Sequence, residues 1–477
     1  MGEPLDFLLA QRADLERRGS PGYGQRMMAL EALGELLDRH CAELGAAIAR
    51  DFGGRSQRET EIFEIYPLQA EIRHVRRHLR SWMRTRRAAT AWPFFPARAE
   101  TVVHPVGVVG IMGAWNYPLL LTLLPLISVL AAGNHAMIKA PRLAGASSTL
   151  LARLLGKRFP VEYVMVLQGG ARLNQIFPSL PFDHLIFSGS TRTGRVIARA
   201  AARNLMPVTL SLSGKSPAIV HQAYPVAMAA RRILGGKLMN AGQTCIAPDY
   251  VFVAEQQLGI FLSAAQEAIQ ELYPRWWDNP DYTAIPDGGL YARLQDLLQD
   301  ARQKGAQSWA PAGTAVDHGQ PGWRFPPTLL WDLRDDMAVM EEEIFGPLLA
   351  IRTYTRIDEA FAYVHAHPAP LALYYFDPDR RRARRCTRGL QVGGVTINDT
   401  IFHAAQPGLP FGGIGASGMG QYRGEYGFHR FSHHLGVFYQ SRYNACDWIR
   451  PPYGAISRRL MQALIRSRSR IFGAGKT

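Results

Sequence analysis

The chain has 477 residues, enough for two or three domains with sizeable cores, and its 47% apolar and 19% charged content is that of an ordinary soluble globular protein. Its four cysteines, Cys41, Cys245, Cys386 and Cys446, are widely spaced and form no Cys-x-x-Cys, so neither a disulfide framework nor a zinc site is signalled and no metal is expected. A net charge of +15 admits an anionic partner, but the arginines gather in helical stretches, and with no aromatic-interleaved or zinc-finger motif nucleic acid is not expected.

The segment Met1-Gly2-Glu3-Pro4-Leu5-Asp6 carries acids where a secretory leader needs a basic and then an apolar run. A reducing, cytoplasmic setting is therefore expected. Leu30, Leu33, Leu37, Leu44 and Ile48 fall near helical spacing and predict one long amphipathic helix over 24–50, ended by Gly53-Gly54. A second helix is predicted from about Glu59 to Arg84. From Val102 the texture changes. Short β-branched runs at 106–112, 136–139, 164–167 and 184–187 read as buried strands, separated by helical stretches near 119–131, 145–157 and 171–177. Such alternation predicts a parallel sheet with helices on both faces, whose ligands bind beyond the carboxyl ends of the strands. The apolar run Leu119 to Ala132 is broken by Thr122, Pro125 and Ser128 and is too short to span a bilayer, so a buried helix is expected.

The loop Phe187-Ser188-Gly189-Ser190-Thr191-Arg192-Thr193-Gly194 follows a predicted strand and opens a helix. Gly189 would let backbone approach a ligand, and Ser190 with the free helix amides could hold a phosphate. A tight strand-to-helix turn with a serine cap would look the same. Ser213-Gly214-Lys215-Ser216 imitates the end of a P-loop, but Thr209 stands where the first glycine is required, which excludes a nucleoside triphosphatase. No G-x-S-x-G is present, so a serine hydrolase is unsupported.

Cys245 lies in Asn240-Ala241-Gly242-Gln243-Thr244-Cys245-Ile246-Ala247-Pro248, among small and polar residues. That is how a chain presents a reactive thiol, with backbone amides free to face whatever the sulfur attacks. The thiolate is the nucleophile, so such a site must lower the thiol pKa or supply a base. A buried structural cysteine is the alternative.

Taken with Ala114-Trp115-Asn116-Tyr117-Pro118, the 187–194 loop, Glu342-Glu343-Ile344-Phe345-Gly346-Pro347 and Leu409-Pro410-Phe411-Gly412-Gly413-Ile414-Gly415, the chain resembles the aldehyde dehydrogenase superfamily from about residue 20 to 455. Ser417-Gly418-Met419-Gly420, Tyr426-Gly427-Phe428 and Phe431-Ser432-His433 are especially like its class 3 branch and the bacterial coniferyl aldehyde dehydrogenases. The resemblance implies an α/β fold with a doubly wound parallel-sheet cofactor domain (1–84 and 108–215) and a second α/β catalytic domain (216–399). A small β bridging element for oligomerisation (85–107 and 400–450) and a basic amphipathic tail (451–477) complete the expected arrangement. It implies a homodimer and NAD(P)-dependent oxidation of an apolar, aromatic or unsaturated aldehyde. Cys245 would attack the carbonyl, while the Asn116 amide and the Cys245 backbone N–H would hold the oxyanion. Hydride loss would leave a thioester on Cys245. The implied cofactor site comprises Trp115, Lys139, Arg142, Gly189, Ser190, Leu212, Glu343 and Phe345, with Glu343 at the nicotinamide ribose.

Two departures from the family stand out. Most members carry a glutamate where this chain has Ser211, and a glycine where it has Ser213. That glutamate activates water against the thioester; a serine hydroxyl has far too high a pKa to do so unaided. Four outcomes stay open: slow hydrolysis by another base, transfer to an acceptor such as coenzyme A, operation in the reductive direction, or loss of catalysis. The intact Cys245, Asn116 and Glu343 argue against the last. The second departure is Ile138-Lys139-Ala140-Pro141-Arg142, where the family commonly reads Lys-Pro-Ser-Glu. A carboxylate repels a 2′-phosphate and an arginine attracts one, so NADP is expected over NAD.

Beyond the resemblance, Ile456, Leu460, Leu464 and Ile465 fall at helical spacing among Arg458, Arg459, Arg466, Arg468, Arg470 and Lys476. A short basic amphipathic helix of this kind can touch an anionic membrane surface weakly. A solvated or dimer-contacting tail is the equal alternative.

Overall fold

The computed structural model describes residues 3–91, 94–313, 323–443 and 450–459, together with 461, 462 and 465. Its strands, in chain order, are β1 (Arg86–Ala88), β2 (Arg98–Pro105), β3 (Val108–Met112), β4 (His135–Lys139), β5 (Val164–Leu167), β6 (His184–Gly189), β7 (Val208–Leu212) and β8 (Ser216–Val220). They continue as β9 (Pro248–Ala254), β10 (Gln307–Trp309), β11 (Thr328–Trp331), β12 (Leu348–Tyr354), β13 (Ala372–Phe376), β14 (Gly394–Ile397), β15 (Gly418–Met419) and β16 (Ser432–Tyr439). The chain forms two compact units: residues 1–80 with 105–431, and residues 81–104 with 432–477.

The larger unit contains two sheets. One has the order β15-β7-β6-β3-β4-β5, parallel except for β15, which runs against β7. The other has the order β10-β11-β12-β9-β8-β13-β14, parallel except for β10. Every residue of β3, β4, β8 and β13 is buried, as parallel strands covered on both faces require. The apolar run ahead of β4 is the helix Leu120–Ala132, buried nearly all round, with Pro125 inside it. Among the described residues no helix is long and apolar enough to cross a membrane.

The smaller unit is the sheet β1-β2-β16. Within it the Tyr439 hydroxyl donates to Glu100 Oε1 at 2.6 Å, and the Phe94 and Phe438 rings meet edge-on at 5.9 Å.

Two helical expectations change. The helix predicted over 24–50 divides into Tyr23–Arg39 and Cys41–Phe52, because His40 leaves helical backbone (φ −113°, ψ 16°). Gly53 ends the second piece in the left-handed conformation. The helix predicted from Glu59 to Arg84 is built from Gln57–Thr60, a π turn at Glu61–Ile65 and Tyr66–Trp82. The widened turn stops just before Pro67, which has no N–H to continue a regular ladder. In the tail, residues 455–459 are helical and Ile456 is exposed. Leu460, Leu464, Arg466, Arg468, Arg470, Lys476 and Cys446 lie outside the described residues.

Candidate active site

Three loops converge because three strands are neighbours. In the order β12-β9-β8, the segment with Glu343 leads into β12, the segment with Cys245 into β9, and Ser213 lies on the link from β7 to β8. The parallel registers Ala350 with Tyr250 and Ser216 with Pro248 align the entering ends. Ser211, at the carboxyl end of β7, is therefore carried to the same edge.

The approach to Cys245 is a tight left-handed turn. Asn240, Ala241 and Gly242 take φ of 52°, 50° and 74°. A Cβ on Gly242 would collide with the Gly346 carbonyl, so only glycine lets this turn lie against the segment that carries Glu343. Asn116 is tied to the turn from both ends. Its Nδ2 donates to the Gln243 carbonyl at 3.1 Å, and its own carbonyl accepts from Asn240 Nδ2 at 3.0 Å. Gln243 Nε2 in turn donates to Asn240 O at 2.9 Å and Ala284 O at 3.1 Å. Tyr117 Oη and Thr244 Oγ1 share a hydrogen bond of 2.8 Å. Asn116 is thus held against the turn that leads into Cys245.

Deeper in the unit, charges pin this arrangement. Arg55 and Glu64 are wholly buried and paired at 2.9 Å. Glu64 Oε2 accepts from the amides of Leu119 (2.8 Å) and Leu120 (3.0 Å), closing the start of the Leu120–Ala132 helix. Arg55 Nη1 also donates to the Asn116 carbonyl at 3.4 Å, and Glu59 accepts from the Asn240 amide and the Thr283 hydroxyl.

The Cys245 thiol is not activated at rest. Burial pushes it up to about 12, and the nearby Glu343 carboxylate adds to the rise. Of the two expectations, a lowered thiol pKa or a base, this leaves the base. Burial also raises Glu343, to about 8, with Asp249 as the next cause; the neighbouring Ser213 hydroxyl, Arg293 and Lys215 act in the opposite sense. Its backbone is fixed. Arg293 Nη1 donates to Ile344 O at 2.9 Å and Nη2 to Glu343 O, while the Ile344 amide donates to Asp249 Oδ1 at 3.0 Å. Lys215 Nζ donates to the carbonyls of Val339 and Glu342, each at 2.8 Å.

Ser211 is buried, facing Ser188 on β6 and Gly418 on β15 in the registers of β7. The buried Tyr422 phenol lies beside Ser211, Ser188 and Cys245, and is pushed up to about 12 by its burial.

Six of the eight residues expected at the cofactor lie at the carboxyl edge of the β15-to-β5 sheet, and Glu343 and Phe345 come from the segment ahead of β12. Lys139 ends β4 and is buried; Arg142 stands exposed three residues on, close enough for its charge to help depress the Lys139 ammonium, after burial itself. Gly189 ends β6, where a Cβ would run into the Phe187 ring. Ser190 caps the helix Thr191–Ala202, its hydroxyl accepting from the Thr193 amide at 3.3 Å. Leu212 ends β7 under Gly194. Trp115 follows β3 and meets Phe345 edge-on at 5.7 Å. Free helix amides, an exposed cation beside a buried one, and Glu343 Oε1, out of water and without a hydrogen-bond partner, suit a phosphorylated dinucleotide. Among the described residues no group of three or more His, Cys, Asp or Glu could hold a metal ion.

Reading the sequence missed Tyr422, Ser188, Lys215, Asp249 and the Arg55–Glu59–Glu64 cluster. The spacing Glu59, Glu64 gave no motif, and only a buried-charge argument after folding picks these residues out.

Comparison with known proteins places the chain in a family. Residues 12–435 match the aldehyde dehydrogenase family. The chain is 46% identical over 461 residues to a "probable coniferyl aldehyde dehydrogenase" of Pseudomonas aeruginosa, covering 96% of each protein. It is 38% identical to a coniferyl aldehyde dehydrogenase of a Pseudomonas species, covering 98% of this chain and 96% of that one. A substrate-bound structure of Staphylococcus aureus AldH superposes with a TM-score of 0.91 at 34% identity, over 98% of this chain and 100% of the other. The chain belongs to the aldehyde dehydrogenase family, whose members use NAD(P).

Proposed function

We propose that this aldehyde dehydrogenase oxidises an apolar, aromatic or unsaturated aldehyde of the coniferyl type through a thioester on Cys245, with NADP preferred to NAD. The observation that carries the reading is that Asn116 is hydrogen-bonded to the turn presenting Cys245, with the Glu343 carboxylate near the sulfur. Cys245 Sγ bonds to the carbonyl carbon and the thiol proton leaves the sulfur. The oxyanion is met by Asn116 Nδ2 and the Cys245 amide, whose donors are in place before charge develops. When bound, the nicotinamide supplies the hydride acceptor that turns the tetrahedral adduct into the thioester.

The substrate class is favoured by the aromatic side chains Trp115, Tyr117 and Phe345 beside Asn116 and Glu343 in the chain, and by the relatives' names. The cofactor preference rests on Arg142 beside Lys139. Ser211 supports a second reading, transfer of the acyl group to a thiol such as coenzyme A, because thiols attack thioesters without help from a carboxylate at that place.

Rapid mixing with a cinnamaldehyde-type substrate and NADP tests these readings. A burst of one NADPH per site followed by a slow phase is expected. Acceleration of the slow phase by coenzyme A would select acyl transfer. Absence of a burst with any aldehyde and either cofactor would sink the dehydrogenase chemistry at Cys245.

A further inference from the structure

Glu343 and Phe345 lie between the helix Ala338–Glu341 and β12, where the chain is neither helix nor strand. The usual backbone ladders are therefore not what fixes them. Side chains of opposite charge do so, from two sides. The peptide group that joins Glu343 to Ile344 donates its N–H to Asp249 Oδ1 at 3.0 Å, and its carbonyl accepts from Arg293 Nη2. The next carbonyl, that of Ile344, accepts from Arg293 Nη1 at 2.9 Å. One guanidinium thus spans two successive carbonyls, a fit that its rigid planar fork allows. Asp249 is buried, and its other oxygen accepts from the Ser216 amide at 3.3 Å, so its side of the clamp is built on the entering ends of β8 and β9.

Arg293 comes from the opposite side, on the helix Gly288–Gln303. That helix packs on the same segment, since a Cβ on Gly346 would run into the Leu294 side chain. The backbone held between the two sides is strained. Phe345 takes φ of 50°, a left-handed conformation that a residue with a Cβ keeps only where its surroundings over-determine it. With the backbone so turned, the Phe345 ring meets Trp115 edge-on at 5.7 Å, and Glu343 Oε1 is left out of water and without a hydrogen-bond partner.

We propose that Arg293 is a positioning residue for the cofactor: by holding the carbonyls of Glu343 and Ile344 against the pull of Asp249, it sets the Glu343 carboxylate and the Phe345 ring where the nicotinamide ribose binds. Arg293 acts through these two residues and does not itself touch the cofactor. Its side chain is 37% exposed, so a core role does not account for its two backbone bonds. The inference rests on Glu343 as the ribose ligand, and the test separates the two.

Titration calorimetry with NADPH and no aldehyde reads binding without turnover, and its stoichiometry counts the folded sites. Glu343→Ala should raise the Kd about tenfold or more, the worth of a hydrogen bond to a charged group. Arg293→Met keeps the reach of the side chain and removes its donors; it should raise the Kd by a similar factor. The double variant should bind no more weakly than either single one, because both lose the same contact. A merely structural loss at Arg293 would instead multiply the two factors. Arg293→Lys, which keeps a donor for one carbonyl, should recover part of the affinity, and it replaces Arg293→Met in the cycle if that variant does not fold. An unchanged Kd on substitution of Arg293, or a double variant weaker by the product of the two factors, overturns the proposal. An unchanged Kd in Glu343→Ala overturns instead the reading of Glu343 as the ribose ligand.

Discussion

Glu343 and Cys245 enter β12 and β9, nearest neighbours in one parallel sheet, and the carboxylate charge bears on the sulfur. The sign of that coupling can be measured. Above pH 8 Glu343 is mostly ionised and holds the thiol protonated; below it the carboxyl is neutral and the coupling is lost. Glu343→Gln should therefore speed alkylation of Cys245 by iodoacetamide at pH 9 by about tenfold, one pKa unit of thiolate. At pH 6 the two proteins should react alike. Equal rates at pH 9, with labelling mapped to Cys245, would show that the carboxylate does not act on the sulfur.

On the proposed acyl-enzyme reading, a carboxylate at position 211 would act on the acyl group from the β7 side. Ser211→Glu places it beside Ser188 and the Tyr422 phenol, which can donate to it and so partly offset its burial. Steady-state acid production should rise about tenfold or more, within the range general-base help supplies. The NADPH burst should change little, since that phase precedes deacylation. A variant that binds cofactor normally yet produces acid no faster would mean that deacylation is not the slow step.

Arg142 is exposed, so its contact with a 2′-phosphate would be partly screened. Arg142→Ala should raise the KM for NADP by about tenfold, the lower end for a charge-assisted contact, and leave the KM for NAD nearly unchanged. Arg142→Glu should invert the preference. A lower KM for NAD than for NADP in the unmodified enzyme would remove the premise.

The cofactor side of the molecule was legible in the sequence because its signals are local. β4, β5 and β6 are short apolar runs bounded by helical stretches, and Ser190 caps its helix from the next residue along. Cys245, Asn116 and Glu343 were legible through their motifs. What could not be read was their meeting, because the β12–β9 pairing joins segments about a hundred residues apart and no local pattern encodes sheet order. The division of 24–50 at His40 was hidden for a related reason: apolar spacing carries across a break of one residue.

Glu64 is the clearest case of a charge whose value appears only after folding. One oxygen accepts from Arg55 and the other from two backbone amides, so both sides of the carboxylate face donors. Glutamine offers one acceptor and one donor, and whichever way its amide turns, a donor faces a donor. Glu64→Gln should therefore destabilise by about 3–5 kcal/mol, the cost of breaking a buried charged pair. The loss should reach the chemistry as well, because Arg55 also holds the Asn116 carbonyl. Urea denaturation with cofactor absent reads the first effect, and the burst rate well below the denaturation midpoint reads the second. A fall in stability with an unchanged burst rate would show that Asn116 is positioned by Asn240 and Gln243 alone, and that Arg55 serves the core and not the oxyanion site.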